Sequence, residues 1–141
     1  MLKVSVVGGG STYTPELLQG FIERQKDFPL THLFLMDIDQ ERLEIVGGFA
    51  QRVAANQGAK FEIVLTSDLS ETVKNANYVI TQLRIGQMQA RREDEYLGRR
   101  HGLIGQETTG IGGMAKALRT IPVILKIANV IKKASPNAVL V

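Results

Sequence analysis

The sequence predicts an α/β fold, a doubly wound and mostly parallel sheet with helices on both faces. Three observations predict it. Short apolar runs alternate with longer helical patterns, the signature of successive βαβ units. One of these runs, Leu33-Phe34-Leu35-Met36, is apolar throughout, as expected of a strand buried on both faces. The first run leads directly into Gly8-Gly9-Gly10-Ser11, a turn too glycine-rich for anything but a tight strand-to-helix connection.

The elements follow in order. Residues 2–7 read as the first strand. A helix starts near Thr14, the expected N-cap, with Pro15 in a first turn where its missing N–H costs nothing. Leu17, Leu18, Phe21 and Ile22 give that helix an apolar face. The second strand, 33–36, ends at Asp37, and a second helix follows with Leu43, Val46, Phe49, Ala50 and Val53 on one stripe. Residues 61–66 form the third strand. Ser67 or Asp68 caps the short helix after it, since Asp68 and Glu71 have capping-box spacing. Residues 78–83 are the fourth strand, and the charged stretch 87–100 is an exposed helix. After a glycine-rich loop, 105–113, a helix over 114–134 should kink or restart at Pro122. Ser135-Pro136-Asn137 stops it, and 138–141 opens a fifth strand.

Composition narrows the functional classes. A chain of 141 residues, 44% hydrophobic and 22% charged, is about one globular domain. No apolar run approaches the roughly 18 residues of a membrane span. The opening segment is too short for a signal peptide, and the absence of cysteine excludes disulfides and thiolate metal sites in this stretch. A cytoplasmic location is expected. The net charge of +3 and pI near 9.3 do not indicate nucleic acid. Basic residues are interleaved with acids, as in Arg91-Arg92-Glu93-Asp94-Glu95, and aromatics are only 6%.

Gly8-x-Gly10 between a strand and a helix is where the Rossmann plan lets a pyrophosphate approach the backbone, at a helix N-terminus that attracts anions. Asp37, at the tip of the second strand, lies where that plan puts the carboxylate for the ribose hydroxyls. A carboxylate there repels the extra phosphate of NADP, so NAD is the expected cofactor. Asp39, nearby, reads better as a turn residue or cap. Two features depart from the fingerprint. Tyr13 replaces its third glycine, and Asp37 follows Gly8 by 29 residues where about 20 is usual. The chain stops inside the fifth strand, without a capping sequence. Residues 1–141 therefore read as a truncated NAD-binding domain.

Ligands of an open parallel sheet bind beyond the carboxyl ends of its strands, where the loops after strands one and four meet. The loop after strand four carries Arg84, and Arg91 follows. Guanidinium forks there can grip a phosphate or carboxylate, and a solvated helix is the alternative.

Four stretches in order, Val7-Gly8-Gly9-Gly10-Ser11-Thr12-Tyr13-Thr14-Pro15-Glu16-Leu17, Thr81-Gln82-Leu83-Arg84-Ile85-Gly86-Gln87, Gly105-Gln106-Glu107-Thr108 and Leu118-Arg119-Thr120-Ile121-Pro122-Val123-Ile124, resemble glycoside hydrolase family 4. They look most like its 6-phospho-β-glucosidase branch. Tyr13 agrees with the family opening, and the Rossmann part also resembles lactate and malate dehydrogenases.

The resemblance implies a mechanism without the usual pair of carboxylates, using NAD⁺ and a divalent metal, manganese. Hydride leaves C3 of the sugar, a tyrosine base removes the acidified C2 proton, and the aglycone is eliminated. Water then adds and the hydride returns. The substrate implied is a phosphorylated disaccharide or β-glucoside, and the relatives' habit implies a homo-oligomer. Residue by residue, Gly8, Gly10, Ser11 and Asp37 fall on the cofactor site, with Thr109 near the nicotinamide. Arg91, and with less of the motif behind it Arg84, fall on substrate. Glu107 aligns with a carboxylate that raises the basicity of the tyrosine. The metal ligands, proton donor and tyrosine lie beyond Val141 in the family, so the isolated chain is expected to bind NAD without glycosidase activity. His32 and His101 lack ligand spacing and read as structural or solvated.

Two alternatives stay open on the sequence: an NAD-dependent 2-hydroxyacid dehydrogenase, which would accumulate NADH, and a non-catalytic NAD-sensing module, which has no use for Glu107.

Overall fold

Side chains alternate between the two faces of a strand, and every residue of Lys3–Val7 is buried, so this run must lie inside a sheet covered on both sides. A computed structural model describes residues 1–141 and divides them into two compact units, Met1–Leu83 with Asn129–Val141, and Arg84–Ala128.

The first unit holds β1 (Lys3–Val7), α1 (Thr14–Glu23), β2 (His32–Met36), α2 (Gln40–Asn56), β3 (Glu62–Thr66), α3 (Leu69–Val73), β4 (Tyr78–Thr81) and β5 (Val139–Leu140). All five strands are parallel, in the order β3-β2-β1-β4-β5. The order reverses at β1, the switch point of a Rossmann sheet. Val7 pairs with both Met36 and Thr81, so residues 8, 37 and 82 leave the sheet at one level.

Val4 and Val6 of β1, with Leu33 and Leu35 of β2 and Ile63 of β3, pack with Leu18 and Ile22 of α1 and Leu43, Ala50 and Ala54 of α2. On the other face, the Ser5 hydroxyl donates to the Thr72 carbonyl of α3 at 2.6 Å. The Lys3 ammonium donates to the carbonyls of Glu71 and Lys74 at 3.1 and 2.8 Å, at the C-terminal end of α3, and sits 3.5 Å above the Phe34 ring. A helix C-terminus favours a cation, which offsets the cost of burying Lys3. Burial nevertheless pulls the ammonium pKa below its ordinary value, against the attraction of Glu71.

Several expectations needed correction. Tyr13, not Thr14, is the N-cap of α1; Thr14 is the first helical residue, and its hydroxyl donates inward to the Gly9 carbonyl at 2.8 Å. On α2 the buried stripe is Leu43, Gly47, Ala50 and Ala54. Phe49 stands one residue, about 100° of turn, off that stripe and is exposed. Asp39 caps α2 by accepting from the Arg42 N–H. Asp68 caps α3, but the return arm of the box is absent, since the Glu71 carboxylate accepts from the Thr66 hydroxyl instead. β4 ends at Thr81, and β5 is only two residues long.

The second unit contains α4 (Gln87–Arg100) and most of α5 (Gly110–Ala134), whose last residues belong to the first unit. α4 has the expected bounds but is not wholly exposed, because Asp94 and Gly98 are buried. α5 begins at Gly110 and runs through Pro122 without restarting. Proline leaves the carbonyl four residues earlier unbonded, and here that residue, Leu118, is 68% exposed, where water can satisfy it.

Ser135 closes the first unit after α5. Its hydroxyl donates to the Val73 carbonyl at 2.6 Å and accepts from the Ala76 N–H at 3.1 Å, both buried. Ser135→Ala removes both bonds and leaves the Ala76 N–H only its 3.1 Å bond to the Val73 carbonyl, and is expected to cost about 1 kcal/mol in urea unfolding; a loss near zero would show that water replaces the hydroxyl.

Candidate functional site

The first cluster of candidate residues lies in the first unit, at the carboxyl ends of β1, β2 and β4. The N–H groups of Gly8 and Gly9 both donate to the Met36 carbonyl, at 2.8 and 2.7 Å, folding the turn back onto the end of β2. Gly8 has φ +100°, and a Cβ there would stand 2.6 Å from the Gln82 carbonyl oxygen, so no other residue fits. Gly9, which the fingerprint leaves free, is equally constrained, since its Cβ would meet Leu35 Cβ at 2.8 Å. The run of three glycines is the signal that could have singled it out.

Asp37 closes the turn. One carboxylate oxygen accepts from the Gly10 N–H at 2.9 Å and the other from the Asp39 N–H at 3.0 Å. The Ser11 N–H donates to the Gly8 carbonyl at 3.0 Å, and the Ser11 hydroxyl accepts from the Tyr13 N–H at 3.2 Å. Gly8, Gly10, Ser11 and Asp37 are thus brought together. Tyr13 is 68% exposed, which explains why the third glycine of the fingerprint is dispensable: its place faces solvent rather than a strand. Gln82, not anticipated, links the end of β4 to this turn, its amide donating to the Gly8 carbonyl at 3.0 Å and the Thr14 hydroxyl at 2.8 Å. Ile38, beside Asp37, is 88% exposed, an apolar side chain at the ligand edge of the sheet.

The second cluster lies within the second unit and centres on Glu107. Its carboxylate is 2.5 Å from Arg84 Nη1, 3.1 Å from Arg91 Nε and 3.0 Å from Lys116 Nζ. Arg91 Nε also donates to Glu95 one turn later, at 3.0 Å. The Lys116 and Arg84 hydrogen bonds hold the Glu107 carboxyl below the usual carboxylate range. The bond to Glu95, with the Glu107 charge, raises Arg91 further above its ordinary value. Arg84 and Arg91 therefore both contact Glu107. Thr109 is exposed and its hydroxyl donates to the Gln106 side chain.

Under this cluster, Arg119 forms a fork on Asp94, with Nη1 and Nη2 at 3.0 and 2.6 Å from the two carboxylate oxygens, while its Nε donates to the Ile85 carbonyl at 2.8 Å. The Asp94 hydrogen bonds raise Arg119 further above its ordinary value. One guanidinium thus ties the residue after Arg84 to the α4 turn after Arg91. A lone arginine in the apolar stretch 117–125 was the available signal for this pair; Lys116 gave none, and Asp94 was hidden in a charged run.

No three His, Cys, Asp or Glu side chains lie together in a geometry that could hold a metal ion. His32 contacts Thr31 and Glu62, and His101 caps the end of α4.

A family model described as the family 4 glycosyl hydrolases matches residues 3–141. The chain belongs to this family. A probable 6-phospho-β-glucosidase of Bacillus subtilis (strain 168) is 49% identical over 142 residues, covering 99% of this chain and 32% of the relative. A 6-phospho-α-glucosidase from gut microorganisms, solved with NAD and Mn²⁺, is 39% identical, with a TM-score of 0.94 over 99% of this chain and 32% of its own. The Thermotoga maritima 6-phospho-β-glucosidase, solved with manganese, NAD⁺ and glucose-6-phosphate, is 36% identical, with a TM-score of 0.93 over 99% of this chain and 33% of its own. The chain spans about a third of the length of the curated relatives it matches.

In this family 4 chain Glu107 should titrate below the usual carboxylate range by carbon-detected NMR. A carboxyl depressed on folding contributes stability above its unfolded pKa and loses it as pH falls through the folded value. Glu107→Gln should therefore destabilise most at neutral pH and progressively less in acid. A pH-independent loss would mean that the three cations do not act on its charge.

Proposed function

We propose that this chain is the NAD⁺-binding part of an enzyme that hydrolyses 6-phospho-β-glucosides to glucose 6-phosphate and an aglycone, through oxidation at C3, deprotonation at C2 and elimination. The observation that carries this reading is the Thermotoga relative, which holds manganese, NAD⁺ and glucose-6-phosphate on a fold that this chain follows over 99% of its length. The β anomer is favoured because the 6-phospho-β-glucosidases of Bacillus subtilis and Escherichia coli are 49% and 46% identical, above the 39% to the α-glucosidase of known structure, while the more distant Thermotoga β-glucosidase is 36% identical.

The glycine turn has the donors and acceptors that a dinucleotide needs. Each Asp37 oxygen accepts one backbone N–H, which leaves each a further lone pair for a ribose hydroxyl. The Thr12 N–H has no partner within the chain, and the Ser11 hydroxyl proton is free to turn outward to a phosphate. Exposed Ile38 offers an apolar face beside Asp37 for an adenine ring. Bound there, NAD⁺ supplies the hydride acceptor for the sugar and returns the hydride at the end of the cycle, so that the net reaction is hydrolysis.

In the second cluster both Arg91 contacts go through Nε, which leaves the outer edge of its guanidinium for the sugar phosphate. Arg84 adds a second cation. Thr109 is assigned to the nicotinamide side on the family motif. Glu107 is assigned to support a tyrosine base contributed by residues outside 1–141. This chain brings no metal-ligand set together. A phosphorylated sugar is charged and does not cross a bilayer unaided, which supports a cytoplasmic location. No helix here is long and apolar enough to cross a membrane. A homo-oligomer is proposed on the family resemblance.

The test is release of chromophore from a chromogenic β-glucoside 6-phosphate by the full-length protein. Cleavage should need both NAD⁺ and Mn²⁺, stop when either is removed, and leave no net NADH. Cleavage that persists without NAD⁺ would refute the oxidative route. Asp37→Ser removes the carboxylate that repels a 2′-phosphate, and the ratio of NAD to NADP affinity should fall roughly tenfold, about 1.4 kcal/mol. An unchanged ratio would remove Asp37 from the ribose site.

A further inference from the structure

We propose that Lys116 is a specificity-determining positioning residue, one that leaves the Arg84–Arg91–Glu107 cluster with a net positive charge and so makes it a receptor for the dianionic phosphate of the substrate. The proposal rests on the phosphoglucosidase reading and adds to it a residue with no role assigned so far.

The charges around Glu107 come from three elements. Arg84 lies in the segment after β4, Arg91 and Glu95 project from α4, and Lys116 projects from α5. The buried Asp94–Arg119 pair lines the same pocket and is neutral in itself. The three cations outnumber the two carboxylates by a single charge. Without Lys116 they would balance, and an anion would meet a neutral patch in which Glu107 already occupies both arginines. With Lys116 present, one Glu107 oxygen is shared between Lys116 and Arg84, at 3.0 and 2.5 Å, and Arg91 faces the other oxygen through Nε alone. The ammonium thus relieves the competition between Glu107 and an incoming phosphate for the guanidinium edges. The Glu107 side chain is only 14% exposed, so this balance is set in a partly desolvated site where charge is poorly screened.

The placement of Lys116 also fits a role through charge rather than packing. It stands on the first turns of α5, six residues after Gly110, and its side chain reaches back to a loop residue nine positions earlier. Its only bond in this cluster is the one to Glu107. A neutral side chain of similar length would keep the fold and lose the charge.

The experiment compares wild type, Lys116→Met and Lys116→Arg in the full-length protein. Glucose 6-phosphate affinity is read by calorimetry, and KM and kcat are read on the chromogenic β-glucoside 6-phosphate. Lys116→Met should weaken glucose 6-phosphate about tenfold or more and raise KM in proportion, with kcat changed less than about threefold. Its acid limb in kcat/KM should move to higher pH, because Glu107 loses the partner that most depresses its titration. Lys116→Arg keeps the charge and should stay within about threefold of wild type. Unchanged affinity in Lys116→Met overturns the proposal, and so does an equal loss in both variants, which would mark a packing role. Wild type that binds glucose 6-phosphate but does not cleave refutes the proposed reaction, while a weaker Lys116→Met still supports the receptor. Wild type that binds none refutes both.

Discussion

The Met36 carbonyl oxygen accepts two N–H groups, those of Gly8 and Gly9, and the geometry of the glycine turn depends on this shared acceptor. It bends the chain across the end of β2 as soon as β1 ends, so that Gly10 arrives beside Asp37 and donates to it. That approach requires the absence of two Cβ atoms, one that would strike the Gln82 carbonyl and one that would strike Leu35. The glycines therefore serve the sheet first and any ligand second. They permit the backbone of one strand to lie against the ends of its two neighbours, and the open donors of the following turn are the consequence.

A comparable economy governs the second unit. Arg119 satisfies a buried carboxylate and a backbone carbonyl with one guanidinium, which presents donors at fixed angles and so fixes the positions it joins. Those positions adjoin Arg84 and Arg91 in sequence. The two arginines are presented to Glu107 by a scaffold that is itself an ion pair. The carboxylate of this pair is buried and Arg119 is part-exposed, so the pair is intolerant of losing the guanidinium, which would strand a buried charge.

Much of this was legible in the residues. The apolar run 33–36 and the glycines after β1 defined the sheet and its switch point, because both are local requirements of the backbone. Asp39 and Asp68 were readable as caps for the same reason. What escaped was set by tertiary partners. Phe49 had the hydrophobicity for the core but the wrong angle on α2, whereas Gly47 was buried because Leu65 lies over it. Thr14 looked like a cap and instead spends its hydroxyl on Gly9. Arg84, Arg91 and Glu107 could be named one by one, but only the fold brings the two arginines within 2.5 and 3.1 Å of Glu107. The spacing from Glu107 to Lys116 carries no periodicity that would mark a contact, and the acid of the Asp94–Arg119 pair sat among charges that mostly face solvent.

The state of the carboxylates bears on how such an enzyme can work. A glycosidase that relies on two carboxylates needs one of them protonated near neutral pH, which requires a raised pKa from burial or a like-charged neighbour. Here the environment runs the other way. Glu107 is held ionised by cations, Asp94 is bound at both oxygens by Arg119, and Asp37 accepts two backbone N–H groups. The cations around Glu107 favour its charged form. Glu107 is thus suited to hold a donor in place rather than to deliver a proton to a leaving glycosidic oxygen. Within these residues the carboxylates work as acceptors and counter-ions.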